Sequence, residues 1–422
     1  MTKKFRRMVV ADFEYEVSDG NLPNPLCLVA HILDENLKFV RAIRLWRGEF
    51  GSKPPFDIGD DTLFCAYTGW AELMCFARLG WKFPTHIFDL HTAFLAASNV
   101  LTPYEPDEKR IKERKRLVDA CKLYGLEGWQ SIDKESIAKD IGEGRWRDYG
   151  QPAVLRYCEE DVSMTVLLLR AELRGRPGRF GGLAPVNTDL VLHWSNYSAK
   201  AVAQIQARGM PIDKPLWDLV QENKAAVVAD LVQRFDPSFS SANPIYTAEG
   251  KFSYERFERW LAEIGVTEWP RLDSGQLQTD SAAWDLMSYI PGIENLRALR
   301  DSLRVIVNAN LPIGRDGRNR PSLFPFGTRT GRNAHTKSLF NAHAGMRGFM
   351  LFPPDKIGVY LDFKSQEIGV SAALSDDPAL IDSYKSGDVY YSFARECGLT
   401  GMRWSRLSEQ NFRIDKWSLC RG

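Results

Sequence analysis

The sequence contains no Cys-x-x-Cys pair: its seven cysteines, Cys27, Cys65, Cys75, Cys121, Cys158, Cys397 and Cys420, are odd in number and widely spaced. That excludes the common zinc-ribbon and dithiol-redox patterns and fits a reducing, cytoplasmic setting. No stretch approaches the roughly 18 apolar residues of a membrane span. The basic start, Met-Thr-Lys-Lys-Phe-Arg-Arg, runs through a short apolar stretch to Asp12, far less than a signal peptide requires. Charge of one sign is also missing, because 55 Lys plus Arg against 54 Asp plus Glu leave a net +1. A nucleic acid partner would therefore be met by local basic patches rather than by a global field. There is no internal repeat.

What is present is an ordinary globular composition, 44% apolar and 26% charged, over 422 residues. At about 150 residues per domain this predicts two or three domains. Residues 8 to 14, 27 to 33 and 40 to 45 read as successive strands of a mixed sheet. From Pro152 to Leu173, Leu155, Cys158, Val162, Val166 and Leu169 recur at helical spacing, with Pro152 suited to the first turn. The Gly- and Pro-dense stretch from Arg174 to Pro185 cannot continue that helix and marks a domain boundary. Helices are expected around 191–207, 214–235, 253–264, 281–289 and 293–309, interrupted by the turn Gly209-Met-Pro-Ile-Asp213. A basic loop, Gly314 to Asn319, precedes one more strand candidate, Ile357 to Asp362.

Residues two apart on a strand face one side, so Asp12 and Glu14 place two carboxylates together at the end of an apolar strand. Hard divalent cations are held by such oxygens. On the helix after Pro152, Tyr157 and Asp161 are four apart and share a face with Val154, Met164 and Leu168. Each feature alone is ordinary surface chemistry. Together, a DxE near the N-terminus and a YxxxD roughly 145 residues on resemble the DEDD 3′-5′ exonucleases of the tyrosine subclass.

That resemblance covers residues 1 to about 173 and implies an α/β ribonuclease-H-like fold holding two Mg²⁺ (or Mn²⁺) ions. It implies that Asp12 bridges the ions, Glu14 and Asp161 complete their shells, and Tyr157 orients the attacking water. The family also needs a fourth carboxylate. Phe88-Asp89-Leu90 resembles the family's structural FDT segment, which moves the ligand upstream to the helix Trp70 to Phe76, whose only acid is Glu72. Asp89 is the alternative, and Glu72 departs from the family's aspartate by one methylene.

Further on, Gly209-Met-Pro-Ile-Asp213 resembles the GxxID turn that opens the polymerase region of family A DNA polymerases. Arg329-Thr-Gly-Arg332, Ser338-Leu-Phe-Asn341, Arg347 and Asp362-Phe-Lys-Ser-Gln-Glu-Ile-Gly369 follow in order. They resemble that family's TGR and NLQN segments, the arginine before its palm strand, and its motif A. By this resemblance Asp362 is a metal ligand, Glu367 excludes a ribose 2′-hydroxyl, and Arg329, Arg332, Asn341 and Arg347 bind DNA. Lys364 and Gly369 replace the family's usual serine and arginine. Arg315, Arg318 and Arg320 add a local basic cluster suited to phosphates.

The expected organisation is thus an exonuclease domain over 1–175, a linker over 176–187, a mainly helical thumb-like region over 188–310 and the start of an α+β palm over 311–422. Neither the fingers motif nor the His-Asp-Glu turn is found after Asp362, although 413–422 has the character of an approach to the fingers. The expected function is the N-terminal part of a phage-like family A polymerase, truncated or split, with a proofreading exonuclease and an incomplete polymerase site. Its partners would be single-stranded and primer-template DNA, with deoxynucleotides only if the palm is completed, in the host cytoplasm if phage-encoded. The competing readings are a free-standing exonuclease and a catalytically silent DNA-binding or interaction protein.

Overall fold

The computed structural model describes residues 5–17, 20–99, 116–126, 134–175, 185–239, 244–247, 249–307, 311–328, 331–339, 344–359 and 361–396. The chain divides into two compact units, Met1–Leu351 and Phe352–Gly422. The boundaries expected near 175 and 310 both fall inside the first unit, and most of the expected linker, 176–184, lies outside the described residues.

A five-stranded mixed sheet organises the first half of the first unit. Its strands are β1 (Arg7–Glu16), β2 (Asn24–Asp34), β3 (Phe39–Trp46), β4 (Thr62–Ala66) and β5 (His86–Asp89), in the order β3-β2-β1-β4-β5. β1, β2 and β3 pair antiparallel, whereas β4 runs parallel to β1 and β5 parallel to β4. The expected strands are present and each is slightly longer than its apolar core, because ladder pairing continues past the last buried side chain. The short strands β4 and β5 had no alternation to announce them; β4 is buried throughout, Thr-Leu-Phe-Cys-Ala, as parallel strands are.

Period two on β1 separates two cores. Met8 and Val10 join Cys27, Val29, Cys65 and Phe88 on one face. Val9, Ala11 and Phe13 join Leu28, Phe64, Phe76 and Trp81 on the other. Each fully buried Leu or Phe contributes about 1.5–3 kcal/mol relative to exposure. The second face is covered by α1 (Gly69–Leu79), which ends at Gly80 with φ 70°, the left-handed stop that glycine adopts without a Cβ penalty. The first face is covered by α2 (Leu90–Asn99), α3 (Leu117–Leu123) and the long α5 (Gln151–Arg174), with α4 (Lys134–Gly142) between. Of the stripe that the spacing predicts, α5 buries Cys158, Val162, Val166 and Leu169 and leaves Leu155 half-buried, and it also buries Val154, Met164 and Leu168.

β5 is the sheet's edge, and its free amides are not left bare. The Ile87 N–H donates to Asn196 Oδ1 at 2.9 Å and the Asp89 N–H to Ser195 Oγ at 3.0 Å. Both acceptors sit on a π-helical turn, Ser195–Ala199, between α6 (Thr188–Trp194) and α7 (Lys200–Arg208). The single helix expected over 191–207 is therefore three segments, and the π turn serves to cap an edge that would otherwise invite pairing.

Beyond it, α8 (Lys214–Glu222) packs Trp217 with Ile212, Leu339 and Met346, whereas α9 (Lys224–Phe235), α10 (Tyr254–Glu263), α11 (Ser281–Leu286) and α12 (Ile293–Val307) build a separate core of Val228, Val232, Phe257, Trp260, Trp284, Leu296 and Leu299. The expectation of one helix over 214–235 is corrected: Asn223, at φ −97° and ψ 10°, ends α8 and begins α9. The Gly209–Asp213 turn packs against Arg318–Asn319, with which Met210–Pro211 pairs antiparallel. Gly209 has φ 62°, and a Cβ there would stand 2.9 Å from the Asn319 carbonyl oxygen, so no other residue fits. Asp213 then caps α8 by accepting from the Leu216 N–H at 3.1 Å.

The second unit holds α13 (Gln366–Ser375), α14 (Pro378–Lys385) and α15 (Val389–Glu396). The strand expected over Ile357–Asp362 does not form among the described residues: Ile357, Val359 and Leu361 are 86%, 69% and 87% exposed. An apolar alternating segment acquires strand geometry only when a neighbour satisfies its amides and carbonyls and covers one face. No helix among the described residues is long and apolar enough to cross a membrane.

Candidate active site

Because β4 runs parallel to β1, α1 begins at the edge of the sheet where β1 ends. Ligand sites of open α/β sheets form at such carboxyl ends. Asp12 and Glu14 continue the Met8–Val10 face of β1 towards α5, and a bulge between Glu14 and Tyr15 re-aims the strand immediately after them. From the opposite face, Glu72 in the first turn of α1 reaches the strand itself: its Oε2 accepts from the Phe13 N–H at 2.9 Å, between the two strand carboxylates. The Glu72 side chain is buried.

α5 completes the arrangement. Tyr157 and Asp161 are half-buried and hydrogen-bonded to each other; Asp161 acts electrostatically on Glu14, and Tyr157 feels the charge of both strand acids. Burial pushes the Glu14 carboxyl well above its usual range, and Asp12, Cys27, Asp161 and Glu72 push it further. Burial does the same to Glu72, with Asp12 adding to it and the Phe13 N–H opposing. Burial, then Asp161, Glu14 and Asp12, also raise the Tyr157 phenol, which therefore keeps its proton. All five residues that the two motifs and the spacing argument single out thus meet at one edge of the sheet.

The arrangement fits a divalent cation. The groups that raise Glu14 are burial and other acids or thiols, with no cation among them. A cation placed there would relieve exactly that repulsion, and oxygen donors are what Mg²⁺ and Mn²⁺ take. Oxygens of Asp12 and Glu14 and the Cys158 sulfur lie within 4.8 Å of one another. Cys158 is the residue that sequence reasoning assigned to the core alone. The signal was present: it follows Tyr157 and precedes Asp161 by three, which turns it towards the sheet just beneath them.

Asp89 plays a different part. It is fully buried at the end of β5, and its Oδ1 accepts from the Thr92 N–H at 3.0 Å in the first turn of α2. Burial lifts its pKa to about 7 against these hydrogen bonds.

Asp362 and Glu367 are exposed, the latter in the first turn of α13. Arg332 is exposed in a turn closed by its own N–H, which donates to Thr328 Oγ1 at 3.0 Å. Arg347 is half-buried on the 3₁₀ turn Ala344–Phe349. Arg329, Asn341 and residues 413–422 lie outside the described residues. Two arginines of the basic cluster are spent internally, which corrects their expected role at phosphates. Arg318 donates to the Arg208 and Gly209 carbonyls at 3.1 Å, and Arg320 pairs with Asp316 and donates to the Gly20 carbonyl at 2.7 Å.

No family model matches the chain, and no curated protein matches it. Among solved structures it is similar to the polymerase domain of Pol1 from M. smegmatis, in a complex with DNA primer-template and dNTP, with a TM-score of 0.54 at 17% identity. The match covers 91% of this chain and 62% of that one, so this chain spans less than two thirds of its neighbour's length. The likeness is one of fold: a mixed α/β chain with a five-stranded mixed sheet and many helices, similar to a DNA polymerase domain.

Proposed function

We propose that the protein is DNA-polymerase-related and that its sheet region is a ribonuclease-H-like 3′-5′ exonuclease of the DEDD type acting on single-stranded DNA ends. The observation that carries this is the convergence of Asp12, Glu14, Glu72, Tyr157 and Asp161, from β1, α1 and α5, at the carboxyl edge of the sheet. The fold likeness to a polymerase domain supports the polymerase-related part of this reading; the sheet, whose antiparallel β3-β2-β1 meander continues into parallel β4 and β5, supports the nuclease part.

Two bound divalent cations, Mg²⁺ or Mn²⁺, supply an activated water and neutralise charge at the leaving 3′-oxygen. Asp12, Glu14, Glu72 and Asp161 would hold such cations through their carboxylate oxygens. The Glu72–Phe13 hydrogen bond fixes the α1 ligand relative to the strand. Tyr157, kept protonated, orients the attacking water by hydrogen bonding rather than by taking its proton. Asp89 holds α2 and the end of β5 in place and contributes no ligand.

On the same reading, residues 188–310 are a thumb-like region and 311–422 belong to a palm, where Asp362 and Glu367 would face an incoming deoxynucleotide and Arg329, Arg332, Asn341 and Arg347 a primer-template duplex. The order of these motifs supports this assignment. The test is hydrolysis of a 3′-labelled single-stranded oligonucleotide with Mg²⁺. Glu72→Gln abolishes it while the melting temperature holds, and Asp89→Asn lowers the melting temperature while hydrolysis persists. The opposite pattern would sink the choice of Glu72, and no metal-dependent hydrolysis by the parent chain would sink the exonuclease reading.

A further inference from the structure

The cation site just described contains a donor that hard-metal hydrolysis does not call for. Cys158 is fully buried, and its thiol points at Asp12: Sγ stands 3.3 Å from the Asp12 carbonyl oxygen and 3.5 Å from Oδ2. Its sulfur, an Asp12 oxygen and a Glu14 oxygen all lie within 4.8 Å of one another. In a tetrahedral zinc site, with Zn–S near 2.3 Å and Zn–O near 2.1 Å, sulfur and oxygen donors are separated by about 3.6 Å. The Cys158–Asp12 spacing already has that value, and small side-chain movements would close the third donor.

We propose that Cys158 makes this centre a selective site for thiophilic divalent cations such as Zn²⁺ and Cd²⁺, bound by the Cys158 sulfur with Asp12 and Glu14. The inference rests on the metal-centre reading above and adds to it which cations compete. On binding, the metal–sulfur bond forms as the S–H bond breaks, and one proton per cation passes to solvent. Softness decides the ranking: thiolate favours Zn²⁺ and Cd²⁺, whereas Mg²⁺ and Mn²⁺ take the carboxylates alone. Such cations therefore displace the hydrolytic pair and inhibit.

The experiment titrates the full chain with Cd²⁺ and follows the ultraviolet thiolate-to-cadmium band, with Mn²⁺ binding by electron paramagnetic resonance as a parallel readout. Expected is one band per chain that is lost in Cys158→Ser and kept in Cys121→Ser, with Cd²⁺ held at least tenfold more weakly by Cys158→Ser, since losing even an outer-shell partner costs about 10–100-fold. Mn²⁺ binding is expected to be unchanged in both variants. A band that survives Cys158→Ser, or a parent chain that binds Mn²⁺ but shows no band, overturns the proposal and leaves the nuclease reading intact. Failure of the parent to bind either cation overturns both, whereas a Cys158-dependent band without Mn²⁺ binding overturns only the hydrolytic reading. Should Cys158→Ser not fold, the ¹¹³Cd resonance of the parent decides, because a sulfur ligand moves it far downfield of an all-oxygen shell.

Discussion

The sheet region and the second unit start from the same kind of sequence signal, an apolar alternating segment ending in an aspartate, and reach opposite structures. β1 is paired on both sides, its alternate faces disappear into two cores, and Asp12 meets acids from two helices. Ile357 to Phe363 has no ladder partner among the described residues, and Phe363 is 78% exposed beside an exposed Asp362. The difference teaches that a strand-end carboxylate becomes a site only when its strand has neighbours. Position on one face is a property of the segment, whereas desolvation and opposing charge come from chain that is far away in sequence.

The largest effect that separates the two regions is on activity. Asp12→Ala should lower 3′-5′ hydrolysis on the order of 10³-fold, about 4 kcal/mol of transition-state stabilisation, because a bridging ligand serves both ions. Asp362→Ala should leave hydrolysis within about twofold of the parent. In a primer-extension gel with all four deoxynucleotides, run in the Asp12→Ala background so that degradation cannot mask synthesis, this chain by itself should give no product. Clear extension would show that Asp362 is organised after all.

Stability should divide along the same line. Leu63→Ala, in fully buried β4, should cost about 2–5 kcal/mol through lost contacts and the cavity left behind. Leu361→Ala, at a residue 87% exposed, should stay within about 0.5 kcal/mol. Equal losses in chemical denaturation would mean that the second segment is covered in solution.

Tyr157→Phe removes only a hydroxyl and should slow hydrolysis roughly 10²-fold, at the low end for a group that positions a reacting proton. A rise in the substrate's KM with kcat preserved would point to binding instead of orientation.

The smallest effect is a slope. Asp89 titrates near 7 in the fold, against roughly 3.9 when unfolded, so the folded state binds the extra proton between those values. Its contribution to stability is complete below about pH 4 and is lost as pH rises through about 7. Glu172, fully buried and raised by burial and then by Asp89, acts in the same direction. The melting temperature of the parent should therefore fall from pH 5 to pH 8, and Asp89→Asn should flatten that fall. No described residue of the second unit is a buried acid, so an unchanged slope in Asp89→Asn would locate the effect elsewhere in the first unit.

Much of the sheet region was legible because its determinants are local. Short apolar runs marked β1, β2 and β3; helical spacing marked α5; and the pairs Asp12–Glu14 and Tyr157–Asp161 each share a face for reasons contained within one element. Glu72 could be placed only through the resemblance, since nothing within α1 distinguishes it from a first-turn acid that merely complements the helix dipole. Cys158 was legible only in part: its place between Tyr157 and Asp161 turns it towards the sheet, but helical phase alone does not say which side chain it meets there.

By itself, then, the sequence determined β1, β2, β3 and α5 and the faces of their side chains, since backbone preference and burial periodicity operate over a few residues. Tertiary structure decided the rest. It chose Glu72 at the strand and Asp89 at the α2 terminus, turned the Cys158 thiol onto Asp12, and gave Ser195 and Asn196 to the edge of β5. Among the described residues it also gave no strand partner to the segment from Ile357 to Asp362. Each of these outcomes depends on a group contributed by distant chain, and pairing, desolvation and charge act only once that group has arrived.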